Sequence, residues 1–228
     1  MPRKKAAISP RKEAQQDRSR QKVEQVLEAA LQLLSEKPSH LVNTSIIAER
    51  AGVSIGSLYQ FFPNKQAIFY ELFRRWLKGT LDKLDEVKSN VPADATKAEC
   101  LEAFLNALTE PKLNSQPNWK LRWAMTSSDE LAALEAQHKR EVFARIYEFQ
   151  DRLGGRPPKE IEPEVMLLQN ELTIVCLWTL STLEKSPNRD KIHALCQDLL
   201  QVVYDYPSWE KLGAERIPAT TAASDDDL

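Results

Sequence analysis

The sequence predicts an all-α protein of about nine helices. Apolar residues recur at spacings of three and four along most of the chain, and Val23, Val26, Leu27 and Ala30 begin the first such series. Glycine and proline residues separate one series from the next, as they do between helices. The sequence lacks the alternation of apolar and polar residues that half-buried strands and hairpins show, which argues against a β-sheet.

The first 79 residues predict a flexible arm followed by a small helical domain, residues 18–79. Residues 1–17 are rich in lysine, arginine, glutamine and alanine and contain almost no large apolar side chain. Such a composition is typical of a basic arm without a core of its own. The first helix is expected to begin near Arg18 and to end before Pro38, because the residue that precedes a proline disfavours helical geometry.

Three more helices are expected before residue 80. Gly52 ends the short second helix, and Pro63 ends the short third helix. The fourth helix is long, and its apolar series continues past the end of the domain. The expected N-caps of these helices are Thr44 or Ser45 for the second, Ser54 for the third and Asn64 for the fourth.

Residues 80–212 predict a second helical domain. The helices of this domain are marked by the apolar series at 101–108, the short segment 119–125, a capping box of Ser127 and Glu130, the proline at 163, and a last helix from about Asn188. The helix that begins at Pro163 is expected to run to about Lys185. Residues 213–228 end in an acidic sequence and predict a disordered tail.

Charge is sorted along the chain. Residues 1–79 carry 14 Lys and Arg against 7 Asp and Glu, a net charge of +7, whereas residues 80–228 carry 17 against 26, a net charge of −9. A basic front joined to an acidic remainder is typical of a polyanion-binding module attached to a different kind of domain. An uneven scatter of solvated charge is the alternative.

Composition places the chain among soluble proteins, with 42% hydrophobic and 28% charged residues. The longest apolar stretch, 172–183, is too short and too closely flanked by polar residues to cross a bilayer. The basic residues at the N-terminus are not followed by the apolar run of a secretory signal. Three widely spaced cysteines predict reduced thiols, so we expect a cytoplasmic protein without a membrane partner.

Residues 44–65, TSIIAERAGVSIGSLYQFFPNK, have the features of a helix-turn-helix. The motif needs a supporting helix, a tight turn that often contains glycine, and a second helix whose N-terminal part enters the major groove. Gly52, Val53 and Ser54 supply the turn. Gly56 leaves the start of the second helix without a side chain, which allows the backbone to approach DNA closely.

The same stretch resembles the TetR (tetracycline-repressor-like) family of transcriptional regulators through some twenty positions, and the resemblance covers about residues 20–79 directly. It implies a homodimer joined through the last two helices and a palindromic operator in double-stranded DNA. Gln60 is the best candidate for reading adenine, although its position also suits a phosphate contact. The resemblance implies phosphate or base-edge contacts by Thr44, Ser45, Ser54, Ile55, Gly56, Ser57, Tyr59, Gln60, Phe61 and Lys65.

An effector site is expected in the second domain, although its candidate residues also suit ordinary packing. Trp119, Arg122 and Trp123 fall at i, i+3 and i+4, so a guanidinium between two indoles would suit an acidic or planar ligand. Aromatic packing with an arginine that reaches solvent is the alternative. Five residues line an apolar pocket or fill the core: Phe104, Met125, Phe143, Met166 and Trp178.

Catalytic and metal-binding patterns are not found in the sequence. His40, His138 and His193 lie in separate segments without a nucleophile arrangement or a phosphate loop. His193 and Cys196 are the one pair at ligand spacing, and ordinary helix packing explains them better. We therefore expect no enzyme, no metal and no cofactor.

The expected function is that of a DNA-binding transcriptional regulator, a repressor that a small-molecule effector of unknown identity releases from its operator. Two alternatives stay open at this point. One is a DNA-binding regulator that has no small ligand. The other is a helical ligand-binding or scaffold protein with a vestigial front domain.

Overall fold

A computed structural model describes residues 17–110, 113–125, 129–153 and 157–204. These residues form nine α-helices and a short 3₁₀ helix, Ser39–Leu41, without a strand, which confirms the all-α prediction. Residues 1–16 of the predicted arm 1–17, the acidic tail 213–228 and Ser127 of the predicted capping box lie outside the described residues, whereas Asp17 already begins the first helix. The helices are α1 (Asp17–Glu36), α2 (Thr44–Arg50), α3 (Ile55–Phe61), α4 (Lys65–Asn90), α5 (Lys97–Leu108), α6 (Gln116–Met125), α7 (Asp129–Leu153), α8 (Glu162–Thr182) and α9 (Arg189–Tyr204).

The chain divides into two compact units that differ from the consecutive domains expected from the sequence. The first unit comprises residues 1–86 and 107–142, and the second comprises 87–106 and 143–228. Helix α6 belongs to the first unit because Leu121 is fully buried in the core formed with α1 to α4. In addition, the Lys120 ammonium donates to the carbonyl oxygen of Leu34, at 2.9 Å. Contacts distant in sequence thus assign residues after 79 to the first unit.

The core of the first unit is built from the apolar faces of its helices. Helix α1 contributes one stripe at helical spacing, and α2 contributes Ile47 and Ala48. The inner faces of α3 and α4 complete the core. Its fully or almost fully buried side chains include Val26, Leu34, Val42, Ile47, Leu58, Phe62, Ile68, Phe73 and Leu121.

The turn between α2 and α3 depends on Gly52. This residue has φ = 66°, a left-handed conformation that L side chains rarely adopt. On the far side of the turn, the Ser54 hydroxyl accepts a hydrogen bond from the backbone N–H of Ser57, which confirms the predicted cap of α3. The turn therefore ends one helix and begins the next within a few residues.

The cap of α2 differs from the prediction. Thr44 and Ser45 already lie within the helix, and the residue before them, Asn43, is the N-cap. The Asn43 side chain accepts from the backbone N–H of Ile46 at 3.1 Å. Three polar residues in a row can all cap a helix, so the sequence alone does not fix which one does. The predicted cap of α4 is confirmed, because the Asn64 side chain accepts from the N–H of Ala67 at 2.8 Å.

A buried carboxylate ties α4 to α1. Glu71 is only 8% exposed. Its carboxylate accepts a bidentate pair of hydrogen bonds from Arg74, with Nη2 to Oε1 at 2.8 Å and Nε to Oε2 at 2.9 Å. Arg75 donates from Nε to Glu71 at 2.8 Å and from Nη1 to Glu24 of α1 at 2.6 Å. Burial alone would raise the pKa of Glu71, but the hydrogen bonds and charges of both arginines outweigh burial and lower that pKa overall.

The second unit is organised around α8 and α9. The Gln169 side-chain amide donates to the carbonyl oxygen of Val203 at 3.1 Å, and the hydroxyls of Thr173 and Tyr204 lie 3.2 Å apart. The Tyr204 ring also meets Phe104 of α5 edge to face, with centroids 6.1 Å apart. Burial raises the pKa of Tyr204 to about 12. These buried polar groups fix the register of the two helices, because each would lose a partner if either helix slid.

Two thiols lie within the same helix pair. Cys176 of α8 and Cys196 of α9 are both buried and free. Burial, followed by hydrogen bonding with Cys196, raises the pKa of the Cys176 thiol to about 12. Burial therefore disfavours the reactive thiolate form of Cys176.

Helix α8 carries apolar residues on more than one side. It begins with Pro163 in its first turn, as predicted, but ends at Thr182 rather than near Lys185. Among the described residues it is the one helix long and apolar enough to cross a membrane by length and composition, and 39% of the relevant window is buried. Buried polar residues such as Gln169 and Thr173 lie within that window, where they bond to α9 or to the helix itself. Such residues are also normal in the core helix of a water-soluble protein.

We expect Glu71→Gln to destabilise the protein by about 1–3 kcal/mol at pH 7, because charge-assisted hydrogen bonds to two arginines are weakened. The lowered pKa of Glu71 means that its stabilising effect is fully present above the ordinary value of 4.5 and is lost as pH falls through the folded-state pKa. Denaturant unfolding of wild type and variant at neutral and acidic pH measures this. The difference should shrink at acidic pH, and a constant difference would contradict the electrostatic account. Glu24→Gln, at a more exposed partner of Arg75, should have a smaller effect.

Candidate nucleic-acid interface

The candidate interface is the outer surface of α2 and α3. Most of the residues expected to contact DNA are at least partly accessible there. Tyr59 and Ile55 are each 40% exposed, although their side chains are largely apolar. The exposed members are Ser45, Ser54, Ile55, Gly56, Tyr59 and Gln60, and the partly exposed members are Thr44, Ser57 and Lys65.

Phe61 is buried, contrary to the expectation that it contacts DNA. Its side chain is only 5% exposed and packs into the core of the first unit together with Leu58 and Phe62. A short helix presents one side to the core, and residues three positions apart, such as Leu58 and Phe61, lie on that side. Phe61 therefore anchors α3 and is not available for a contact with DNA.

Two hydroxyls from neighbouring helices meet at the centre of the interface. Oγ1 of Thr44, at the start of α2, lies 3.0 Å from the hydroxyl oxygen of Tyr59 in α3, and either group can be the donor. Only one of the two O–H groups is used in this bond. The other O–H can donate outward, and a phosphate oxygen is a suitable acceptor. The pair thus orients both side chains before a ligand arrives.

Lys22 also lies at the candidate interface, although no pattern in the sequence indicated it. It lies in α1, outside the helix-turn-helix motif, and its ammonium donates to Oγ of Ser57 at 3.4 Å. This contact brings a cation to the middle of the outer surface of α3, a helix that has no charged residue of its own. Only the packing of α1 against α3 reveals it, since the two residues are 35 positions apart.

Lys65, the first residue of α4, is held more firmly than the sequence suggests. Its ammonium donates to the carbonyl oxygen of Ser39 at 3.2 Å and lies 5.6 Å from the centre of the Phe69 ring. An ammonium has three N–H donors, so two remain after the bond to Ser39. Lys65 is partly buried, and its charge lies at the N-terminus of a long helix, where free N–H groups also favour an anion.

Gly56 leaves an open place on the surface of α3. A Cβ atom built on this residue would meet no heavy atom within 4 Å, and its φ is not in the left-handed region. The fold therefore does not require glycine here. The open space would allow the backbone to approach a large ligand closely, as the sequence predicts.

The interface combines hydroxyls, an amide and two lysines around an uncharged helix. Hydroxyls and ammonium groups suit phosphate oxygens, which position a protein on DNA without reading its sequence. Gln60 is exposed on α3. Its side-chain amide has both donors and an acceptor, and its contact with a base or a phosphate stays a prediction.

The two indoles of α6, Trp119 and Trp123, do not lie on either side of Arg122 as the expected effector site requires. Trp119 is buried, and its indole N–H donates to Asn114 at 2.8 Å. The Arg122 guanidinium lies 5.6 Å from the Trp119 ring centre and forms an ion pair with Glu135. Trp123 is 63% exposed, so the two indoles do not enclose one site. The arrangement fits the alternative of packing with a partly exposed arginine.

The other effector candidates differ in burial and lie in a different unit from the residues of α6. Phe104 is buried against Tyr204, Phe143 and Met166 are partly exposed, and Trp178 is 44% exposed on α8. These four belong to the second unit, whereas the α6 residues belong to the first. The side chain of Met125 lies outside the described residues. Neither unit contains all eight effector candidates, so the effector site stays a prediction.

Residues 26–72 match the sequence profile described as bacterial regulatory proteins, tetR family. The matched region contains α2, α3 and the turn between them. A fatty acid metabolism regulator protein from Bacillus subtilis (strain 168) is 32% identical over 87 residues, which is 38% of this chain. The match spans 43% of that protein, less than half of its length.

Solved structures share the fold over most of the chain. A protein from Pseudomonas aeruginosa PAO1, described as a transcriptional regulator, has a TM-score of 0.66 at 17% identity and covers 89% of this chain and 95% of its own. A fatty acid degradation regulator from Bacillus halodurans has a TM-score of 0.60 at 18% identity, with coverage of 80% and 94%. At these identities the likeness establishes the all-α architecture alone.

Alanine substitutions at the two glycines of the motif should separate folding from binding. We expect Gly56→Ala to leave stability unchanged or higher by up to about 1 kcal/mol, since alanine favours a helix and has space there. DNA affinity should fall about tenfold or more, because the methyl group blocks the approach of the backbone. Fluorescence anisotropy and thermal unfolding measure the two effects.

Gly52→Ala is the matched control for Gly56→Ala. It should destabilise the fold by about 1–2 kcal/mol, because the new side chain must adopt a positive φ. Full DNA affinity in Gly56→Ala would show that the backbone at this position does not approach DNA.

Proposed function

We infer that this chain is a member of the TetR family of regulators, and we propose that it acts as a homodimeric transcriptional regulator that binds an operator in double-stranded DNA. The resemblance in residues 44–65 is confirmed by the profile match over residues 26–72. The observation that carries the proposal is the outer surface of α3, where exposed polar groups surround a glycine that the fold does not require. A purely structural three-helix bundle has no need of such a surface.

The homodimer is supported by an apolar surface on α8 and α9, which we call the α8–α9 face. Its members recur at helical spacing on each helix, and each of them is at least 44% exposed. Contiguous exposed apolar surface on a protein marks a binding site, and two such helix pairs can pack as a four-helix bundle. The α8–α9 face consists of Leu167, Leu168, Val175 and Trp178 on α8 and Leu195, Leu199 and Val202 on α9.

Regulation by a small molecule is the second part of the proposal. An effector releases the operator only if it binds more tightly to the conformation that does not fit DNA, and the loss of DNA affinity equals that preference. The names of two relatives concern fatty acid metabolism and degradation. Fatty acyl compounds are therefore the first ligands to screen. A regulator without a small ligand remains the alternative within the same family.

We propose that the protein is a regulator rather than an enzyme, because the relatives are described as regulators. We propose a cytoplasmic location, where operator DNA and reduced thiols both occur.

Selection of bound fragments from random DNA by the full-length protein tests the proposed function. We expect a pseudo-palindrome whose half-sites are separated by about one helical turn or a multiple of it, roughly 34–36 Å per turn, because a two-fold dimer presents two identical α3 helices. Affinity should also fall steeply with salt, as it does for proteins that neutralise several phosphates. Enrichment of no sequence would refute an operator-binding function, and an asymmetric site occupied by a monomer would refute the dimer.

Two neighbouring leucines of α9 allow a matched test of the α8–α9 face. We expect Leu199→Asp, at a position 44% exposed, to give a folded monomer with weaker operator binding. Leu200→Asp should unfold the protein instead, because Leu200 is fully buried and an unpaired buried carboxylate costs several kcal/mol, about the stability margin of a domain. Analytical ultracentrifugation and circular dichroism distinguish the outcomes. A Leu199→Asp protein that stays dimeric would exclude this face as the interface.

A further inference from the structure

We propose that Ile55 determines sequence specificity by packing against the C5-methyl group of a thymine in each half of the operator. This inference rests on the proposed function, since it names what one residue of the interface reads. Helix α3 has its buried and its polar side chains on different sides. Of the seven residues of this helix, none is charged, and Leu58 and Phe61 are turned into the core.

The hydroxyls of α3 are engaged with groups that suit phosphate. Tyr59 pairs with Thr44 of α2, and Ser57 accepts from Lys22 of α1. Hydroxyl and ammonium groups that lie together favour an anionic oxygen over a base edge. Discrimination between bases is therefore left to the remaining exposed side chains of the helix, Ile55 and Gln60.

Ile55 is the first residue of α3, and Gly56 follows it. In a helix-turn-helix the N-terminal residues of the second helix enter the major groove. Gly56 has no side chain, and a Cβ atom built there would meet nothing within 4 Å, so the surface beside the start of the helix is open. Ile55 is 40% exposed at this place.

The chemistry of the groove selects one partner for an aliphatic side chain. Each base pair presents donors and acceptors in the major groove, and thymine alone adds an apolar group, its C5-methyl. The isoleucine side chain can form no hydrogen bond, so it gains nothing from the donors and acceptors of guanine, cytosine and adenine, and these bases offer no methyl group to pack against. Burial of one methyl group against Ile55 corresponds to about fourfold in affinity per half-site, and to roughly 15-fold when both halves are counted.

The test uses the DNA site selected by the full-length protein, with each thymine of the half-site replaced in turn by deoxyuridine. This substitution removes the methyl group and leaves every hydrogen-bonding atom in place. We expect one position at which deoxyuridine weakens binding about fourfold in one half-site. At that position, 5-methylcytosine paired with guanine should bind more tightly than cytosine paired with guanine, because it restores the methyl group.

Variants of Ile55 link the methyl effect to this side chain. Ile55→Ala should bind the thymine and deoxyuridine sites equally, and Ile55→Val should retain part of the preference. Leu41→Ala is the matched control, because Leu41 is 55% exposed in the 3₁₀ helix and outside α3, and this variant should keep the full preference. Thermal unfolding verifies that each variant is folded.

The possible failures are distinguishable. Absence of sequence-selective binding by wild type would contradict the proposed function itself. Selective binding that is insensitive to every deoxyuridine would overturn the role of Ile55 and leave the proposed function intact. A deoxyuridine penalty that persists unchanged in Ile55→Ala would assign the methyl contact to another residue and would also overturn the proposal.

Discussion

Burial of the inner face of α3 is the constraint on which the candidate interface depends. A helix of seven residues is not stable in isolation, because nucleation costs more than so few hydrogen bonds return. Leu58, Phe61 and the cap residue Phe62 insert into the core and hold α3 in one orientation. Once these three side chains are fixed, the opposite side of the helix must face outward. The candidate interface is therefore defined by which side chains of α3 the core buries.

Much of this arrangement is visible in the sequence. The Ser54 and Asn64 caps, the glycine turn and the proline in α8 are local signals, and the structure contains all of them. The contact expected of Phe61 came from the resemblance, which does not show which side of α3 faces the core, and in so short a helix the apolar pattern does not fix it either. Lys22 was missed because its role depends on a contact between segments far apart in the chain.

The limits of the two units also depend on contacts between segments that are far apart in the chain. A division at residue 79 follows the end of the basic region, whereas α6 contributes Leu121 to the core of the first unit. The charge distribution shows where the basic region ends, but the limits of a compact unit depend on which apolar faces pack together. In α8 the apolar residues occur on several sides, so the sequence alone did not separate the side that packs on α9 from the exposed side.

The buried thiol pair of the second unit has a consequence for measuring motion. An alkylating reagent reacts with a thiolate, and burial both disfavours the thiolate of Cys176 and shields it as long as α8 and α9 remain packed. Modification then requires transient separation of the helices, so its rate reports the free energy of that opening. The alkylation rate of Cys176 thus reports how often α8 and α9 separate, with no introduced label. The same rate, measured with DNA or a ligand present, shows whether either one changes this local opening.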